Sequence, residues 1–168
     1  MSNPKVKIVV KGHGTMIAEL YPDMAPKTVE NFVKLVSEGF YSGMIFHRVI
    51  PGFMIQGGGF TEEHQQKEAA SIKGEFRANG FPGNTLKHTR GVLSMARTMI
   101  PDSASSQIFI MHMDSPHLDG QYAGFGKVIE GEEVIDSIAN VPTTTKMMYY
   151  QDWPVDDVVI ESMTLVED

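Results

Sequence analysis

The chain is 168 residues long and 42% apolar, which suits one domain, residues 1–168, built around a single sizeable core. Its formal charge is −7 with no cluster of lysine and arginine, so a nucleic-acid phosphate backbone is not an expected partner. The absence of cysteine excludes disulfides, thiol catalysis and thiolate metal sites, and it fits a reducing compartment.

The start, MSNPKVKIVV, has no apolar stretch of signal-peptide length, and no later run approaches a membrane span. A cytoplasmic, monomeric protein is therefore the expectation. Residues 5–10 (KVKIVV) and 15–20 (TMIAEL) are short β-rich runs joined by KGHG, a hairpin pattern. In APKTVENFVKLVSEGF, Val29, Phe32, Val33 and Val36 fall at i, i+3, i+4 and i+7, the stripe of an amphipathic helix. Pro26 suits its first turn and Gly39 its stop.

Two strands are expected at 45–50 and 53–57, hinged at Pro51-Gly52. From 58 to 90 the chain is rich in Gly, Glu, Gln, Lys and Asn without a period, the pattern of a long surface excursion. Apolar runs follow at 91–96, 107–113 and 123–129; GEEVIDSIA (131–139) reads as a short helix and DVVIESMTLV (157–166) as a last strand. Many short strands with two helices point to a closed or nearly closed antiparallel β-barrel with helices over its ends.

Familiar catalytic motifs are absent. There is no G-x-S-x-G elbow and no P-loop, and the glycines at 57–59 precede no helix pattern that could hold a phosphate. The six histidines make no metal-binding spacing. His112 and His117 with Asp114 or Asp119 could be imagined as ligands, but solvated or hydrogen-bonded histidines are the simpler reading.

One stretch is unusual. FHRVIPGFMIQGGGF (46–60) places Arg48 and Gln56 among apolar and aromatic residues, where charge is costly unless paired or used. This stretch resembles the signature of the cyclophilins, the peptidyl-prolyl cis-trans isomerases. The resemblance runs over nearly the whole chain, through TVENFVKLVSEGFYSGMIFHRVIPGFMIQGG, KHTRGVLSMAR, SSQIFIMH and HLDGQYAGFGKVIEG in order, and it is similar to the small single-domain bacterial members. It implies a closed eight-stranded antiparallel barrel capped by two helices. An eight-stranded barrel is filled by its own side chains, so the groove belongs on its outer face.

The resemblance implies that the chain accelerates rotation about Xaa-Pro bonds and assists protein folding, with Arg48 and Gln56 as catalytic residues. Phe53, Met54, Phe109 and Leu118 match the proline-ring pocket, Gln107 lines the same groove, and Tyr122 stands where many relatives carry histidine. Ala96 and Arg97 match the segment whose backbone grips the residue before proline. No cofactor and no metal are implied; partners are proline-containing peptides and unfolded or folded protein clients, with cyclosporin bound weakly. His117 replaces a frequent tryptophan tied to cyclosporin, Gly59 a frequent aspartate, and TEEHQQKEAAS is charged where relatives are Gly/Thr-rich. Singly, each apolar site residue could be core and Arg48 a solvated strand arginine; their joint order carries the reading. Two rivals remain: a non-catalytic proline-peptide module or chaperone on this fold, and a barrel carrying a small apolar ligand inside.

Overall fold

The computed structural model describes residues 3–67, 69–146, 148 and 150–166. The ends of the expected 1–168 domain, residues 1, 2, 167 and 168, lie outside the described residues. The first hairpin pairs β1 (Lys5–Val10) with β2 (Gly14–Leu20). Strict alternation buries Val6, Ile8 and Val10 from one strand and Met16, Ala18 and Leu20 from the other. Helix α1 (Pro26–Ser37) follows, with Pro26 in its first turn. Val29, Phe32 and Val36 face inward as expected; Leu35 and Thr28 join them, while Val33 is only partly buried. Gly39, at φ +73°, ends the helix in the left-handed conformation that glycine adopts without a Cβ penalty.

The remaining elements are β3 (Arg48–Ile50), β4 (Met54–Gly57), β5 (Val92–Met95), β6 (Ile108–Met111), β7 (Gly124–Glu130), α2 (Glu132–Ala139), β8 (Thr143–Lys146), β9 (Tyr150–Pro154) and β10 (Ile160–Leu165). The large sheet runs β10-β1-β2-β7-β5-β6-β4-β3, with every neighbour antiparallel. Phe32, Phe46, Ile55, Leu93, Ile110, Phe125 and Ile160 fill its concave side at 0–1% exposure. Large apolar side chains thus occupy the space that a carried ligand would need. Helix α1 packs on β10, and α2 on β2, β3 and β4.

The expected closed barrel is corrected here: the sheet is curled but open, with β3 and β10 at the two ends of its strand order. The expected strand at 45–50 is also shorter, because the chain before β3 crosses to the start of β10. Gly43 N–H donates to Ile160 O at 2.8 Å, Ile160 N–H to Met44 O at 2.8 Å and Phe46 N–H to Val158 O at 3.0 Å, leaving one isolated bridge, Ile45 to Val159. The β8–β9 hairpin, absent from the sequence-based expectation, packs beside β3 and fills this seam. Its Trp153 is fully buried with Ile45, Phe60 and Val159.

The 58–90 segment is irregular, as expected, with one 3-10 turn at Arg77–Asn79. Yet buried groups tie it down. Glu75 is 3% exposed, and its Oε1 accepts from Thr28 N–H at 2.7 Å and the Thr28 hydroxyl at 2.8 Å. Asn84 Nδ2 donates to Glu75 O and Gly124 O. Among the described residues no helix is long and apolar enough to cross a membrane.

Candidate active site

Period-two alternation builds the site. In β4, Ile55 points into the core while Met54 and Gln56 point outward; Arg48 lies opposite Gln56 in β3, and Phe109 lies opposite Gln56 in β6. The outer face of these strands therefore carries a second apolar cluster, Met54, Val92, Phe109, Met111 and Leu118, separate from the main core. Phe53, Ala96 and Tyr122 border it.

A cavity of about 130 Å³ opens over that cluster. Its floor is Phe53, Met54, Phe109 and Leu118, and its walls are Ala96, Arg97 and Tyr122. Arg48 and Gln56 stand at one side. Of the residues expected at the site, only Gln107 and His117 lie outside this lining. Gln107 lines an adjoining cavity of about 140 Å³ that shares Gln56, Ala96 and Arg97 and adds Thr98, Ser103 and Ser105. His117 is exposed at the opposite rim, its ring 5.9 Å from that of Phe53.

The polar side is a relay of side chains. Arg48 Nη1 donates to Gln56 Oε1 at 3.3 Å, and Gln56 Nε2 donates to Gln107 Oε1 at 2.8 Å. Among the described residues no carboxylate pairs with Arg48, so its remaining donors face the groove or solvent. The other arginine is fully engaged. Arg97 lies 4.6 Å over the Tyr122 ring and 4.8 Å over the Phe76 ring, and it donates to Gln121 O and Thr98 O. Cation–π stacking and carbonyl acceptors turn it into a fixed wall.

His88, Ser94 and Asp119 form a buried support that sequence reasoning missed. The His88 ring stacks on Phe109 at 6.0 Å, its Nε2 meets Ser94 Oγ at 2.8 Å, and its backbone N–H and Nδ1 both meet Asp119 Oδ1. Burial holds the His88 pKa below the ordinary histidine value, against the opposing pull of the Asp119 carboxylate. KHTRGVLSMAR contained the residue, but its partners lie 6 and 31 positions away. The imagined metal pair is not assembled: His112 bonds Gly52 and Asp136, and among the described residues no group of three acidic or imidazole side chains converges.

Gly59 has a structural reason to lack a side chain. A Cβ there would collide with the Gln107 side chain. Gly59→Ala should push Gln107 off Gln56 and shift the side-chain amide signals of both in NMR, while urea unfolding stays within about 1 kcal/mol, the value of one hydrogen bond. Unshifted amide signals would show that the Gln56–Gln107 bond survives the added methyl.

The family model for cyclophilin-type peptidyl-prolyl cis-trans isomerase matches residues 5–165. A peptidyl-prolyl cis-trans isomerase of Acinetobacter baylyi is 49% identical over 158 residues, covering 90% of this chain and 80% of that protein. Peptidyl-prolyl cis-trans isomerase B of Escherichia coli is 46% identical over 164 residues, covering 92% and 96%. A crystal structure of a Cryptosporidium parvum cyclophilin superposes with a TM-score of 0.80 at 30% identity over 99% of each chain, and a second, at TM-score 0.79, was solved in the presence of the dipeptide Ala-Pro. The fold, the outer-face groove and these matches together place the chain in the cyclophilin-type peptidyl-prolyl cis-trans isomerase family.

Proposed function

We propose that the outer-face groove is the catalytic site of this isomerase, with Arg48 as the donor that acts on the twisted amide. The observation that carries this is an arginine with no carboxylate partner among the described residues, tied to Gln56 at the edge of an apolar cavity. Rotation about a peptide bond faces a barrier of about 18–20 kcal/mol from amide resonance. Before proline, cis lies only about 0.5–1 kcal/mol above trans, yet exchange takes tens to hundreds of seconds. At the twisted transition state resonance is lost and the prolyl nitrogen regains a lone pair. A guanidinium N–H aimed at that nitrogen stabilises the twisted amide more than either planar state, which is the requirement for catalysis.

In this reading Met54, Phe109, Leu118 and Phe53 hold the proline ring, while Gln56 orients Arg48 and contacts the peptide backbone. Ala96 and Arg97 supply backbone to the residue before proline, and Gln107 and Tyr122 complete the walls. No covalent bond breaks, so the chemistry calls for no cofactor. The substrates are proline-containing segments of peptides and protein clients; the Ala-Pro dipeptide used with the Cryptosporidium relative is of that class. The chain is proposed to act as one cytoplasmic, monomeric domain. Location is testable by NMR. Adding an Ala-Pro-containing peptide should shift signals of Met54, Phe109 and Tyr122 and give contacts from the proline ring to Phe109. Shifts centred instead on the Trp153 seam would reject the groove.

The rim sets a further expectation. His117 presents a small polar imidazole where tryptophan would offer a wide apolar face and an N–H donor. His117→Trp should tighten cyclosporin binding in calorimetry and keep short-peptide turnover within a few-fold of wild type. Equal cyclosporin affinity in the two proteins would remove His117 from the account of drug binding.

A further inference from the structure

The side chain of Phe53 needs a holder. It sits on the turn between β3 and β4, where Pro51 and Gly52 are exposed and Gly52 has φ +81°. The turn's own hydrogen bond, Phe53 N–H to Ile50 O at 3.0 Å, closes the loop but does not fix it against the rest of the sheet. That is done from outside, by His112 at the end of β6. His112 N–H donates to Phe53 O at 2.9 Å, and Gly52 N–H donates to His112 Nδ1 at 2.8 Å. The His112 side chain thus accepts from the turn whose carbonyl its own backbone grips.

The imidazole is in turn held. Since Nδ1 accepts the Gly52 N–H, the ring hydrogen sits on Nε2, which meets Asp136 Oδ1 at 3.0 Å. Asp136, on α2, is held by both Nη atoms of Arg90 at 2.8 and 2.9 Å. Arg90 Nη1 also donates to His112 O at 3.1 Å, and Arg90 Nε lies 3.4 Å from Glu132 Oε1. Paired charges at one end and a neutral amide at the other make a chain of charge-assisted bonds from α2 to the turn. The Arg90 pair keeps the Asp136 carboxyl below its ordinary pKa, so it remains an acceptor for His112. His112 is 7% exposed and is not itself one of the residues that line the cavity.

We infer that His112 is a positioning residue for the proline pocket: oriented by Asp136 and Arg90, it fixes the Gly52–Phe53 turn and with it the Phe53 wall. The inference rests on the groove being the peptide site. It identifies α2, remote in sequence from the pocket motif, as part of the pocket's support.

Three substitutions separate the two ends of the link. In His112→Asn the amide oxygen stands near the place of Nδ1, keeping an acceptor for Gly52 and giving up Asp136. In His112→Gln the amide NH₂ reaches toward Asp136 and the Gly52 acceptor is lost. His112→Leu loses both. Proline-peptide affinity by NMR titration should fall by about three- to tenfold in the Gln and Leu variants, the worth of one buried hydrogen bond, and should be recovered only in part in the Asn variant, which keeps an acceptor for Gly52 but no longer has Asp136 to orient it. The on-enzyme exchange rate at saturating peptide should change less than the affinity, because Arg48 is untouched. The Gly52 amide should exchange faster with solvent in the Gln and Leu variants and stay protected in the Asn variant. That readout needs no activity, so it stands even if the groove assignment fails, whereas a wild-type protein that neither binds nor isomerises the peptide would sink that assignment alone. Equal affinities in the Asn and Gln variants, or losses that follow unfolding stability instead of the Gly52 bond, would overturn the inference.

Discussion

Arg48→Ala should cut the isomerisation rate at least tenfold and leave the fold unchanged. The guanidinium is exposed and donates to Gln56 at 3.3 Å, and among the described residues no carboxylate pairs with it. Removing a preorganised donor costs roughly 2.7–4 kcal/mol in dry oxyanion sites, and an open groove should give less, so tenfold, about 1.4 kcal/mol, is the floor. Arg48→Lys should also be impaired. Its ammonium keeps the charge but loses the planar fork that lets one donor hold Gln56 while others face the substrate. The checks are the catalysed exchange rate and circular dichroism. Wild-type turnover in either variant, with native dichroism, would show that Arg48 is a bystander.

The second large effect is on stability and lies next door. His47 is 5% exposed, its ring 4.8 Å from Phe60 and 5.6 Å from Trp153, and its Nδ1 has no hydrogen-bond partner among the described residues. Burial among these rings, and secondarily the neighbouring Arg48 charge, pushes its pKa down from 6.5 to about 4. The unfolded chain then binds the proton more readily than the folded one. Above about pH 6.5 both states are neutral and nothing is lost; as pH falls from 6.5 to about 4 the folded state loses stability, and below that the loss is complete. The full penalty is about 3 kcal/mol, with about 2 kcal/mol of it reached at pH 5. His88, also held low by burial, adds in the same direction. Urea unfolding from pH 7 to 4.5 should show this slope in the wild type and a shallower one in His47→Leu. Should that variant not fold, NMR titration of the wild-type His47 ring answers the question directly. A ring that titrates near 6.5 in the folded protein would contradict the assignment.

Where side chains obey a short period, the sequence was readable. Val6, Ile8 and Val10 alternate, Val29, Phe32 and Val36 recur at helical spacing, and both patterns became the expected elements. The site was readable for a different reason: Arg48, Phe53, Met54 and Gln56 fall within nine residues, so a local motif carries half the groove. The seam was not. Thr143, Thr144 and Thr145 are all exposed in β8, which leaves no alternation to detect, and Trp153 is buried by Ile45 and Phe60 from the far end of the chain. For the same reason closure was overstated, since one bridge between residues 45 and 159 has no sequence signature. His112 was read as a solvated or hydrogen-bonded histidine; that it joins Gly52, 60 residues upstream, to Asp136, 24 downstream, emerges only from the fold.

The central claim is that this groove accelerates rotation and does not merely hold proline. Exchange NMR on a short Ala-Pro-containing peptide with a catalytic quantity of the wild-type chain measures that directly. The cis and trans proline signals should exchange far faster than the tens to hundreds of seconds of the free peptide, with Arg48→Ala lowering the gain at least tenfold. Peptide shifts that report binding while cis and trans interconvert at the uncatalysed rate would contradict it, and would leave a proline-binding module on a cyclophilin fold.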